Sequence, residues 1–139
     1  MSRRRMRERA MRILFQVEVG KNPVDEILDY EIEKLKLKKT AKELNFLKNL
    51  VKTALEKQSQ IDEIIEKYTE NWSIDRLGKV DLVILRLALT EIIFIEDVPY
   101  KVSINEAIEL GKRYSTGDSP SYINGVLDRA FRNLKGEER

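Results

Sequence analysis

The sequence contains no cysteine and no histidine. Without cysteine there is no disulfide, no thiolate nucleophile and no cysteine-held metal. Without histidine the commonest general base and the commonest metal ligand are missing. Glycine is scarce, and Gly111, Gly117 and Gly125 lack the spacing of a phosphate-binding loop. Catalysis would have to rest on carboxylates, lysine, tyrosine or serine. The Asp and Glu pairs present occur at the density of any charged helical surface. Neither catalysis nor a metal or other cofactor is expected. No apolar run reaches the roughly 20 residues that a bilayer crossing needs. The basic N-terminus is not followed by the short apolar stretch of a secretory signal, so a cytoplasmic location is expected. A chain of 139 residues is long enough for one domain with a real core. Binding is the function class that remains.

Charge is plentiful and unevenly placed. Charged residues make up 36% of the chain, yet the net charge is only +2. Residues 1–12 hold Arg3, Arg4, Arg5, Arg7, Arg9 and Arg12 against Glu8 alone, a local +5, so the other 127 residues sum to −3. No lysine stands among the six. The planar guanidinium fork matches phosphate oxygens and stacks on bases better than an ammonium does. An anionic partner is expected, with a solvated basic tip as the alternative.

The stretch from Val80 to Ile95, VDLVILRLALTEIIFI, has twelve apolar residues in sixteen. Its polar members, Asp81, Arg86, Thr90 and Glu91, do not fall on one helix face. A helix without a wide solvent face is a central one, wrapped by others. Arg86 and Glu91 are expected to pair with neighbouring helices or to emerge at a groove.

Helical signals recur on both sides of it. A first helix runs from about Ser2 to Val19, with Ala10, Ile13, Leu14 and Val17 facing inward and Gly20 ending it. Asn22 caps a second, with Pro23 in its first turn. The LKLKK run at 35–39 reads as a turn at a solvated helix end, with a nucleic-acid contact as the alternative. Thr40 and Glu43 form a capping box that opens a third helix, to about Lys57. Ser59 is expected to cap a fourth, ending near Glu70. Trp72 sits in a joint, followed by a short helical turn over 73–78. Ser103 and Glu106 read as a second capping box, opening a helix to about Tyr114. A polar loop follows, and Ser119 and Pro120 open the last helix. Gly125 is expected to let another helix approach closely. No stretch reads as a strand, so the expected fold class is all-α, with about seven helices.

The second half of the chain carries a more specific signal. Arg86-Leu87-Ala88 with Glu91, then Asp97-Val98-Pro99-Tyr100-Lys101-Val102-Ser103-Ile104-Asn105-Glu106-Ala107-Ile108-Glu109-Leu110, then Ser119 and Tyr122-Ile123-Asn124-Gly125-Val126-Leu127-Asp128, closely resemble the bacterial antitermination factors of the NusB family. Arg3-Arg4-Arg5-Met6-Arg7, followed by Ala10 and Leu14-Phe15, match that family's arginine-rich start. The likeness spans essentially the whole chain. It is strongest from about 72 to 131 and weak in the second and third helices.

The resemblance implies two small helical bundles packed together, here about 2–70 and 73–135, in a single domain over 1–139. It implies binding of the single-stranded boxA element of nascent RNA, as a heterodimer with NusE, a small-subunit ribosomal protein. It implies that the complex joins other Nus factors on RNA polymerase and suppresses termination, notably in ribosomal RNA operons. A homodimer that covers the RNA surface also fits the family. No chemistry, cofactor or membrane is implied.

Residue roles follow from the same resemblance. Arg3, Arg4, Arg5 and Arg7 would supply phosphate contacts. Phe15 is divided between core packing and base stacking. Tyr122, in the first turn of the last helix, would stack on a base, a contact worth about 1–3 kcal/mol. Asp118 and Ser119 match the RNA-proximal loop, and Ser119 fits helix capping equally well. Asp75, Arg76 and Asp81 form the expected NusE-facing surface. The chain departs from many members at Ser121, where a basic residue usually precedes the aromatic. That shifts phosphate contacts towards the N-terminal arginines. Two other readings compete. Some cytosine-RNA methyltransferases carry a NusB-like accessory domain, but no catalytic domain or cysteine nucleophile is seen here. The other is a self-associating helical protein whose arginines only solubilise it.

Overall fold

The computed structural model describes residues 2–20, 23–69, 77–95 and 98–137. Among these residues there are seven helices and no strand. They are α1 (Ser2–Gly20), α2 (Val24–Leu35), α3 (Ala41–Glu56), α4 (Gln58–Tyr68), α5 (Lys79–Phe94), α6 (Tyr100–Tyr114) and α7 (Ser119–Glu137). The all-α expectation holds. Among the described residues no helix is long and apolar enough to cross a membrane.

The apolar run of α5 dictates its central place. Ten consecutive residues, Leu82 to Glu91, are buried. The helices α1, α3, α4, α6 and α7 all pack on it. Burying a leucine or isoleucine side chain is worth about 1.5–3 kcal/mol, so Ile84, Leu85 and Leu89 anchor the whole core. Around this axis α1 packs on α3 and α6 on α7, while α4 touches both α3 and α7. The second helix packs on α1 and α3 and buries only Leu28 and Leu35.

The polar residues of α5 are satisfied one by one. Thr90 donates its hydroxyl to the Arg86 carbonyl, one turn back, at 2.7 Å. Arg86 donates to both carboxylate oxygens of Asp62 in α4, at 2.8 and 2.9 Å, and to Glu18 in α1, at 2.6 Å. Glu91 accepts from Arg7 Nε at 2.8 and 2.9 Å and from the Ser103 hydroxyl at 3.2 Å. Arg86 and Glu91 thus tie three neighbouring helices to α5, as their apolar setting required.

Local signals succeed where nothing distant competes. The Thr40–Glu43 box forms: the Glu43 amide donates to Thr40 Oγ1 and the Thr40 amide to Glu43 Oε1. The Ser103–Glu106 box does not. Pro99 precedes the helix, and Tyr100, stacked on Phe131 at 3.6 Å, already lies in its first turn. Proline suits a helix start because its missing N–H is not needed there. Ser103 is then an interior residue, spent on Glu91. Ser59 is not a cap either. Lys57 alone separates α3 from α4, and Ser59 lies inside the first turn of α4. The close helix approach falls at Gly111, not Gly125. A β-carbon at Gly111 would sit 3.0 Å from Ile123 and 3.6 Å from Pro120, holding α7 away. At Gly125 it would meet only the flexible end of Arg129. Asn22, Trp72, Asp75, Arg76 and most of the 73–78 turn lie outside the described residues.

Acid should weaken these ties. Hydrogen bonding from Arg86 holds the Glu18 carboxyl below its ordinary value, and Arg4 does the same for Glu106. A carboxylate depressed on folding adds stability above its unfolded pKa, near 4.3, and loses it as pH falls through the lower, folded value. Urea midpoints should therefore fall as the pH drops below about 4.5. Glu18→Gln with Glu106→Gln should flatten that fall. Parallel curves for wild type and variant would show that these carboxylates are not depressed.

Candidate nucleic-acid interface

Side chains bridge α1 to α6 in the same order along both helices. Arg4 clasps Glu106 with bonds of 2.7 to 3.2 Å. Further along, Arg113 donates to Glu8 at 2.7 Å. Next, Arg12 donates to the Tyr114 hydroxyl at 3.0 Å, its guanidinium 5.6 Å from the ring centre. The seam between the helices has a groove at each end. The first, about 260 Å³, is bordered by Arg3, Arg4, Arg7, Val98, Val102 and Glu106. The second, about 270 Å³, has Met11, Phe15, Val80 and Val83 inside and Arg12 and Tyr114 beside them. At 1.5 Å per residue, Arg4 and Phe15 are about 16 Å apart along α1.

Just past Tyr114 the polar loop is fastened to α5. Asp81 accepts from Ser115 at 2.6 Å on one oxygen and from Ser119 at 2.9 Å on the other. Ser119 therefore uses its hydroxyl to hold the loop, not to cap α7. The Asp118 carbonyl accepts from the Tyr122 amide at 3.0 Å, while the Asp118 side chain is exposed. Gly117 has φ 58°, a left-handed conformation that any side chain would strain. Tyr122 is half-buried against the core, and its hydroxyl is sealed from solvent. Burial pushes its phenol pKa up, and the charge of Asp81 adds to that.

The arginine start is an ordered helix, not a loose tip, and its members differ. Arg5 is exposed. Arg3 lies 4.4 Å over the Phe46 ring of α3. Arg4, its side chain 56% exposed, is bound only at the surface. Arg9 pairs with Glu31 of α2. Arg7 is only 4% exposed, and its guanidinium is held by Glu91 at 2.8 Å, with Glu106 3.8 Å away. Phe15 falls between its two readings: it packs against the core and also forms part of the second groove. The structure thus gathers Arg4, Phe15, Asp81 and Ser119 along one seam. Tyr114, Arg113 and Glu106 belong to it too. Sequence reasoning missed them, because nothing local marks a residue that bridges to a helix about 100 positions away.

Comparison with known proteins follows the same outline. The NusB family profile matches residues 4–132. The transcription antitermination protein NusB of Natranaerobius thermophilus is 45% identical, over 96% of this chain and 97% of that protein. A crystal form of T. maritima NusB is 40% identical and superposes with a TM-score of 0.84, covering 92% of this chain and 89% of that one. A chain from the crystal structure of antitermination factors NusB and NusE in complex with dsRNA is 30% identical, with a TM-score of 0.84, over 95% of this chain and 97% of that one.

Proposed function

Because this chain belongs to the NusB family of transcription antitermination proteins, we propose that it binds the boxA element of nascent RNA together with NusE. In this reading the complex joins other Nus factors on RNA polymerase and suppresses termination in ribosomal RNA operons. The observation that carries the RNA part is the α1–α6 seam. It offers guanidinium groups at one end and an aromatic groove at the other, over a length that spans several nucleotides. BoxA is read as a single strand, whose bases are free to stack and to expose their edges.

Each side chain then has a task set by its surroundings. Arg3, Arg4 and Arg5 meet phosphates. The Arg4 guanidinium sits in solvent, where an ion pair contributes little, and Glu106 keeps Arg7 at 3.8 Å, so Arg4 can exchange Glu106 for a phosphate. Arg7 cannot make that exchange. Removing one partner of a buried pair costs about 3–5 kcal/mol, and we assign Arg7 the task of bracing α1 against α5. Phe15 and Tyr114 offer ring surface to bases at the second groove. Tyr122 can offer only the exposed part of its ring, since its hydroxyl points inward. Asp118 faces the RNA from the loop that Ser119 and Asp81 hold. Asp75, Arg76 and Asp81 make the surface for NusE.

The salt dependence of binding tests the electrostatic part. Arg4→Ala with Arg5→Ala should lower the log–log slope for boxA RNA by about 1.4, or roughly 0.7 for each single-strand phosphate no longer neutralised. An unchanged slope in fluorescence anisotropy would mean that neither arginine touches the backbone.

A further inference from the structure

Positive charge is concentrated a second time, away from the arginine start. Residues 34–57 hold eight lysines against Glu43 and Glu56, a local +6. With residues 1–12 at +5 and the whole chain at +2, everything outside the two segments sums to −9.

Five of these lysines differ from most other cations among the described residues. Lys34, Lys36 and Lys57 each have a carboxylate within 4.0 Å. Among the described residues Lys38, Lys39, Lys42, Lys48 and Lys52 have none. Glu43, the acid nearest to them in sequence, is turned back onto Thr40 in the capping box. Lys42, Asn45, Asn49 and Lys52 recur at i, i+3, i+7 and i+10, which makes one stripe on the outer face of α3. Lys48 flanks it. Lys42, Asn45, Lys48, Asn49 and Lys52 are exposed, while Leu47, Leu50, Val51 and Ala54 are buried on the other side and Phe46 is buried at the edge, next to Lys42 on the helix surface. Lys42 and Lys52 stand about 15 Å apart along the axis.

The stripe adjoins the seam already described. Phe46 follows Asn45 in α3, and its ring lies under Arg3 at 4.4 Å and Arg7 at 5.5 Å. A strand held by the first turns of α1 therefore reaches the first turns of α3 next.

We propose that the lysine stripe of α3, with Lys38 and Lys39 in the turn before it, is a second RNA-backbone surface that holds nucleotides flanking the element read at the seam. Its position rests on the RNA reading of the seam; its charge does not. The stripe carries no aromatic or apolar side chain, so it has nothing on which a base could stack and no anchor for a protein partner's core. Lysine ammonium groups on flexible stems, with two asparagine amides between them, suit phosphate oxygens in any sequence. The occupant is thus a phosphate backbone bound through counterion release, without base readout.

The test compares two RNAs on the full chain with NusE. One is the boxA element alone; the other carries about ten extra nucleotides of unrelated sequence on each side, a length within the span that single-strand grooves cover. The variant is Lys42→Gln, Lys48→Gln and Lys52→Gln together, which keeps good helix formers on α3. Circular dichroism should be unchanged. On the extended RNA the variant should lower the log–log salt slope by about 2, three phosphates at roughly 0.7 each. On the short RNA it should change nothing. Equal slopes for wild type and variant on the extended RNA would overturn the proposal. So would an equal loss on both RNAs. Loss of polyglutamate binding with both RNA slopes intact would assign the stripe to an acidic protein and overturn it too. A failed seam reading looks different: wild type would not prefer boxA to scrambled RNA, yet the variant would still lower the slope on the long strand.

Discussion

Replacing Glu91 by alanine should cost about 3–5 kcal/mol of folding stability. Arg7 is 4% exposed and Glu91 1%, and they meet at 2.8 Å. Without the carboxylate, a guanidinium is left in the core with only Glu106, at 3.8 Å, to balance its charge, and the Ser103 hydroxyl loses its acceptor. Arg7→Ala should be similarly severe, for the mirror-image reason. The double change Arg7→Met with Glu91→Leu should recover most of the loss, since well-packed apolar replacements of buried pairs are often neutral or better. Urea denaturation of the three variants decides this. A cost under about 1 kcal/mol for Glu91→Ala would place the pair in solvent-like surroundings. The same set separates bracing from contact. If Arg7 only braces α1, the double variant should bind RNA as wild type does. If Arg7 touches phosphate, the double variant should stay weak even when fully folded.

Leu85→Ala should cost about 2–5 kcal/mol, as large-to-small changes in tight cores do. Leu85 has no exposed surface and sits in the middle of α5, the helix on which α1, α3, α4, α6 and α7 pack. The loss combines the transfer free energy of the missing carbons with the cavity they leave. Leu37→Ala is the matched control. Leu37 is 99% exposed, in the turn after α2, and its removal should stay within about 0.5 kcal/mol. Comparable costs for the two leucines would mean that α5 is not the axis of the core.

Much of the fold was legible because it is written locally. The near-continuous apolar run of α5 could only be buried, and its polar residues spread round the helix had to find partners on several sides. The Thr40–Glu43 box is readable because both of its bonds close within four residues. The same spacing at Ser103 and Glu106 misled because long-range partners claimed both side chains: Glu91 took one and Arg4 the other. Gly125 and Gly111 are alike in sequence, and only the packing of α7 on α6 distinguishes them. The arginine start was visible as composition. Which arginines are sealed and which are displayed depends on acids 22 to 102 positions away. The lysine stripe was half visible, in the run at 35–39. Its continuation through Lys42, Lys48 and Lys52 shows only when α3 is laid against α1.

The central claim is that the seam reads one RNA sequence in company with NusE. An anisotropy titration of boxA and scrambled RNA, each with and without NusE, tests it most directly. The account predicts weak binding of boxA to the chain alone, clearly tighter binding once NusE is added, and no such gain for the scrambled RNA. Equal affinity for the two RNAs in the presence of NusE would contradict it.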